Sequence, residues 1–84
     1  MPRSTPPPAW VIDRRRAIGD QIRAARLHRD LTQERVALTT GMDRATYNRI
    51  EQGHSSALLD SLILIADAIG VPLEDLVRVG NAPE

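Results

Sequence analysis

Three glycines, Gly41, Gly53 and Gly70, each stand just past a short stretch with helical spacing, and that punctuation most narrows what the chain can become. Glycine enters the left-handed backbone region without the steric cost a Cβ imposes, so a glycine in this place reads as a helix stop. The chain is thereby cut into short helices. Thr32, followed by Gln33 and Glu34, opens one that stops at Gly41, and Asp43 opens another, Arg44 to Gln52, that stops at Gly53. A further helix carries the apolar stripe Leu59, Leu62, Ile63, Ala66 and Ile69 and stops at Gly70. Pro72 suits the first turn of a last short helix, Leu73 to Val77. Ahead of these, Ile18, Ile22, Ala25, Arg26 and Arg29 have the spacing of a first helix, which Asp30 ends and Gly19 weakens by about 1 kcal/mol. Its start is open between Ala9 and Arg16, with a frayed or bent start before Asp13 as the preferred reading. No segment alternates as a strand does, so the expected fold is all-α with five helices.

Residues 1–8 hold four prolines, a serine and a threonine, which cannot build a helix. The expected organisation is a Pro-rich arm over 1–12, a folded domain over 13–79 and a loose tail over 80–84. Trp10, with Val11 and Ile12, must pack somewhere: on its own domain first, on a partner otherwise. Eighty-four residues allow one domain, which buries only about 60% of its unfolded surface. The absence of cysteine excludes disulfides and thiol chemistry, and His28 and His54 alone do not make a metal site, so no metal or cofactor is expected. No apolar run approaches the roughly 18 residues of a membrane span, and the prolines interrupt any signal-peptide core, so a cytoplasmic protein without membrane attachment is expected. No nucleophile–base pairing and no phosphate-binding glycine loop is visible, so no enzyme is expected.

The formal net charge of zero hides an asymmetry. Residues 1–53 hold ten arginines against six acids, and residues 54–84 hold one arginine against five. One half suits a polyanion that the other repels. Two short helices joined by a glycine turn have the helix-turn-helix spacing, in which the second helix enters the major groove of DNA. Leu31, Thr32, Gln33 and Glu34 open the pair, Gly41 turns it, and the run Tyr47, Asn48, Arg49, Ile50, Glu51, Gln52, Gly53 closes it.

On those residues, and on the segment Ala66, Asp67, Ala68, Ile69, Gly70, Val71, the sequence resembles the Xre and Cro/phage-repressor family over about residues 18–77. The resemblance implies a compact five-helix, lambda-repressor-like domain that binds double-stranded DNA. It implies that Arg26 and Glu51 form a buried ion pair between the first and third helices, and neither charge tolerates burial alone. It implies that Gln33, by side chain and backbone N–H, approaches a DNA phosphate at a helix N-terminus. Base readers fall at Arg44, Ala45 and Arg49, with Asn48 on the same face. Arginine can bond guanine bidentately and asparagine adenine, and Ala45 lets the helix sink into the groove. Thr32, Thr46, Gln52, His54 and Ser55 complete the expected phosphate contacts. His54 stands where the family commonly has lysine or arginine, so the grip there is weaker and pH-dependent. Arg14, Arg15 and Arg16 suit either phosphate contact or plain solvation.

Two departures bear on assembly. Leu58 occupies a position usually polar in the family, and Leu64 falls opposite the expected stripe; with Leu73, Val77 and Val79 they make a candidate dimer patch. The reading that follows is a dimeric, sequence-specific regulator, a repressor, located at the nucleoid. The alternative is an antitoxin or partner-binding protein that uses the same domain for autoregulation.

Overall fold

The computed structural model describes residues 5–78. Residues 1–4 of the arm, Val79 and the expected tail over 80–84 lie outside the described residues. The rest forms α1 (Ala9–His28), α2 (Gln33–Thr40), α3 (Arg44–Gln52), α4 (Leu59–Ile69) and α5 (Leu73–Val77), with no strand among the described residues. Helix α1 starts at the early end of its expected range and runs on as one helix to His28. Residues 9–12, expected in the arm, are its first turn. The Pro8 carbonyl accepts from the Val11 and Ile12 N–H groups at 3.0 and 3.2 Å, so the proline tract itself supplies the first acceptor. No described helix is long and apolar enough to cross a membrane.

Local signals set the remaining boundaries. Thr32 Oγ1 accepts from the Arg35 N–H at 3.0 Å and Asp43 Oδ2 from the Thr46 N–H at 3.2 Å, each satisfying a donor that the first helical turn leaves orphaned. Helices α1 to α4 end alike. Asp30, Gly41, Gly53 and Gly70 take positive φ. The residue after each sends its N–H back to a carbonyl of the last turn, from Leu31 to Arg26, Met42 to Ala37, His54 to Arg49 and Val71 to Ala66. Asp30 is the non-glycine of the four, and aspartate tolerates this region better than most residues.

Every helix contributes one of the five largest fully buried side chains: Ile22, Val36, Tyr47, Ile65 and Leu76. Each such burial stabilises by roughly 1.5–3 kcal/mol. The stripe expected on α4 needs correction. Ile65, Ala66 and Ile69 are buried and Leu62 packs at the core's edge, whereas Leu59 and Ile63 are exposed. Residues 62–66 are all apolar, so the pattern did not choose a face; the packing of α4 against α2 and α5 did. Leu73 likewise leaves the expected dimer patch, because it packs on the core, while Leu58, Leu64 and Val77 stay exposed.

Gly19, read from sequence only as a weak point, marks the crossing of α1 over α3. A Cβ there would lie 2.8 Å from the Ile50 carbonyl oxygen and closer still to that of Glu51. Gly53 serves twice over, since a Cβ would come within 2.7 Å of the Arg16 Cα as well as straining a φ of 72°. Helix α1 therefore lies directly on the backbone of α3 and fixes its height above the core.

Candidate nucleic-acid interface

Helix α3 divides cleanly. Tyr47, Ile50 and Glu51 are buried; Arg44, Ala45, Thr46, Arg49 and Gln52 are exposed, and Asn48 is half-buried. The inward face contains a carboxylate, which burial alone would make untenable. Arg26 answers it with two bonds, Nε to Oε2 at 2.6 Å and Nη2 to Oε1 at 3.2 Å, a charge-assisted bidentate pair. Gln33 Nε2 donates to Oε1 at 3.0 Å, and the Tyr47 hydroxyl donates to Oε2. Burial pushes the Glu51 pKa up, but the hydrogen bonds from Arg26, Tyr47 and Gln33 and the nearby guanidinium outweigh it, and the net shift is downward. Arg26 is held more firmly protonated, chiefly by its bond to Glu51. Desolvation first, then the bond to Glu51, raises the Tyr47 pKa. The third nitrogen of the same guanidinium, Nη1, donates to the Leu31 carbonyl at 2.8 Å and closes the turn into α2. One arginine thus ties α1, the α1–α2 turn and α3 together.

Two other arginines, Arg15 of α1 and Arg29 just past its end, hold helix ends. Arg15 Nε donates to the Gly53 carbonyl at 2.9 Å, and Arg29 Nη2 to the Gly70 carbonyl at 3.0 Å, placing positive charge where the α3 and α4 dipoles are negative. The run of three arginines is therefore not plain solvation throughout: Arg15 is half-buried and braces α3, while Arg14 and Arg16 are exposed.

The expected contact residues separate into groups. Gln33, Arg44, Ala45 and Asn48 line one recess of about 300 Å³ at the junction of α2 and α3. Arg49, Gln52 and His54 are exposed at and beyond the C-terminal end of α3. Ser55 is half-buried and lines a different, apolar groove of about 330 Å³ with Trp10, Arg14, Ile18 and Leu62. Trp10 caps that groove yet remains 65% exposed, so packing on its own domain is partial. The Thr46 hydroxyl donates to Asp43 Oδ1 at 2.8 Å, which commits its hydrogen to the cap. That bond and the one from the Thr46 N–H lower the Asp43 pKa. Both amide hydrogens of Gln33 are also engaged, by Glu51 and by Asn48 Oδ1 at 2.9 Å, so its side chain has no donor left for a phosphate. What α2 still offers an anion is its N-terminal turn, with the backbone N–H of Gln33 foremost.

Sequence reasoning missed the link from Gln33 to Asn48, the brace from Arg15 and the crossing at Gly19. The first two join residues 15 and 38 positions apart, and no local pattern encodes them. The last had a signal in a glycine placed mid-helix.

A helix-turn-helix family model matches residues 22–76. Over 57 residues the chain is 40% identical to the cryptic phage CTXphi transcriptional repressor RstR of Vibrio cholerae, an alignment covering 68% of this chain and 51% of that protein. The chain thus spans about half the length of that curated relative. Among solved structures, the restriction-modification controller protein C.AhdI from Aeromonas hydrophila superposes with a TM-score of 0.71 at 26% identity, covering 76% of this chain and 96% of that one. The clp gene regulator ClgR from C. glutamicum superposes at 0.73, covering 76% and 83%; at 20% identity it speaks for the fold alone.

Proposed function

The chain belongs to the Xre and Cro/phage-repressor family of helix-turn-helix domains, and on that premise we propose that it is a sequence-specific, double-stranded-DNA-binding transcriptional regulator working in the cytoplasm as a homodimeric repressor. The observation that carries this reading is the division of α3. Its inner face is tied to the domain by the Arg26–Glu51–Tyr47 network, and Arg44, Ala45, Asn48 and Arg49 lie on the opposite face. Fixing the helix before DNA arrives matters because it lowers the ordering cost of binding. Arg44 and Arg49 suit guanine O6 and N7, and Ala45 leaves room for a thymine methyl. Phosphates are met by the backbone N–H of Gln33, by the Thr32 hydroxyl at the head of α2, and by Gln52, His54 and Ser55 after α3. The acids of α4 and α5 (Asp60, Asp67, Glu74 and Asp75) are exposed and belong to the half of the chain that repels a polyanion. The likeness to a transcriptional repressor supports the sign of regulation.

A mobility-shift titration against a random duplex pool tests the reading. Binding that favours particular sequences and weakens steeply as salt rises is the expected result. No salt-sensitive binding to any sequence would end it. Dimerisation brings two recognition helices to half-sites about 34 Å apart, so selected sites should be palindromes with that spacing.

The exposed apolar surface favours a second reading, in which a protein partner is also bound. Leu58 is 75% exposed, and Trp10, 65% exposed, lines an apolar groove. Light scattering on the purified chain separates the two: a dimer in which these residues become protected favours self-association, and a monomer favours a different partner.

A further inference from the structure

We propose that the apolar groove between the N-terminal half of α1 and the loop after α3 binds a small organic anion with an apolar body, such as a short-chain carboxylate, and that its occupancy weakens DNA binding. The second half of the inference rests on the DNA-binding reading above; the first stands without it.

Helix α1 passes Gly53 at Arg16 and continues for about two turns toward its N-terminus. The family match begins at residue 22, so the wall that α1 gives the groove, between Trp10 and Ile18, lies wholly ahead of it. The apolar part of the lining includes buried Ile50, half-buried Val11, Ile18 and Leu62, and exposed Trp10. Its volume of about 330 Å³ falls at the small end of the range of about 300–1,000 Å³ that holds small molecules.

The charges in the lining decide what fits. Among the described residues it holds Arg14 and Arg15 and no acid, and neither arginine makes an ion pair. Arg15 gives Nε to the Gly53 carbonyl at 2.9 Å, which anchors its guanidinium and leaves the two Nη groups for a ligand. A cationic occupant would meet two like charges, and a neutral one would leave both unanswered. A carboxylate at the guanidinium groups with its hydrocarbon on the apolar lining satisfies both kinds of surface. The same groove is lined by Ile50 of α3 and by Ser55, one of the residues assigned above to a phosphate. A negative charge held beside that loop offsets the positive potential where α3 ends, so the anion and DNA oppose each other. Linkage requires each to weaken the other by the same factor.

Trp10 is the chain's one tryptophan, so its fluorescence reports on the groove. Titration of the full chain with octanoate should move the emission to shorter wavelength and saturate, with an affinity about tenfold or more above that for octylamine and with octanol between them. Arg14→Glu, at an exposed position, should narrow or reverse that order. No response, or equal responses to the three compounds, overturns the site. So does an emission that starts at short wavelength and lengthens on dilution, because a second copy of the chain then fills the groove. In a mobility-shift titration on a duplex selected from a random pool, saturating octanoate should lower the affinity about fivefold or more, and acetate at the same concentration should leave it unchanged. Octanoate that binds without lowering the affinity, or acetate that lowers it equally, overturns the coupling. A chain that binds octanoate but no duplex overturns the DNA-binding reading instead of the site.

Discussion

Helices α3 and α4 invert the usual hydrophobic ranking. Helix α3 buries a carboxylate, while α4 leaves Leu59, Ile63 and Leu64 in solvent. Composition does not account for this, because both are short helices on the same small core. The difference lies in what each face meets. The Glu51 oxygens receive donors from Arg26, Tyr47 and Gln33, so the desolvated charge is fully answered. Helix α4 packs against α2 and α5 and can bury only the arc that those two cover. A helix face is thus chosen by its neighbours, and polarity records that choice only where the opposite face is polar.

The comparison can be broken most sharply at its charged end. Arg26→Ala should cost about 3–5 kcal/mol by urea unfolding, since it leaves the Glu51 carboxylate buried without its main partner. A loss under 1 kcal/mol would mean that the pair is solvated in solution. The expected loss of about 3–5 kcal/mol takes much of the stability of a domain this size. On α4, Ile65→Ala should cost about 2–5 kcal/mol by the same measure. Gly19→Ala forces α1 off the α3 backbone and should cost about 1–3 kcal/mol, visible as a lower Tm. If instead it stabilised the chain, as expected of alanine in an open helix, the close crossing would be absent. At the small end, Leu64→Ala should change stability by no more than about 0.5 kcal/mol. A larger effect that grows with protein concentration would place Leu64 in a dimer interface.

Acid gives an independent view of the inner face. The Glu51 pKa is lowered in the folded state, so its contribution is complete above the ordinary carboxylate range and is lost as pH falls through the folded value. Wild type should therefore lose stability on acidification more steeply than Glu51→Gln, measured as the urea midpoint between neutral pH and pH about 3. Equal slopes would remove Glu51 as the source.

The helices were legible in the sequence because their ends are local chemistry. Thr32 and Asp43 accept the orphan N–H groups three residues on, and Gly41, Gly53 and Gly70 supply the positive φ that a helix end requires. The inward face of α3 was legible as well, because arginine, threonine, asparagine and glutamine occupy its other side. The start of α1 was obscured by the prolines before it, whose composition says nothing about the carbonyl of Pro8.

The sequence by itself determined where α2 to α5 begin and end and which side chains α3 turns outward, since both follow from interactions within about four residues along the chain. Only the tertiary structure decided which of the apolar residues of α4 are core, why α1 carries a glycine, and which way the amide of Asn48 points. Each of these depends on a group brought from a distant element: α2 and α5 for α4, the backbone of α3 for Gly19, and Gln33 held by Glu51 for Asn48.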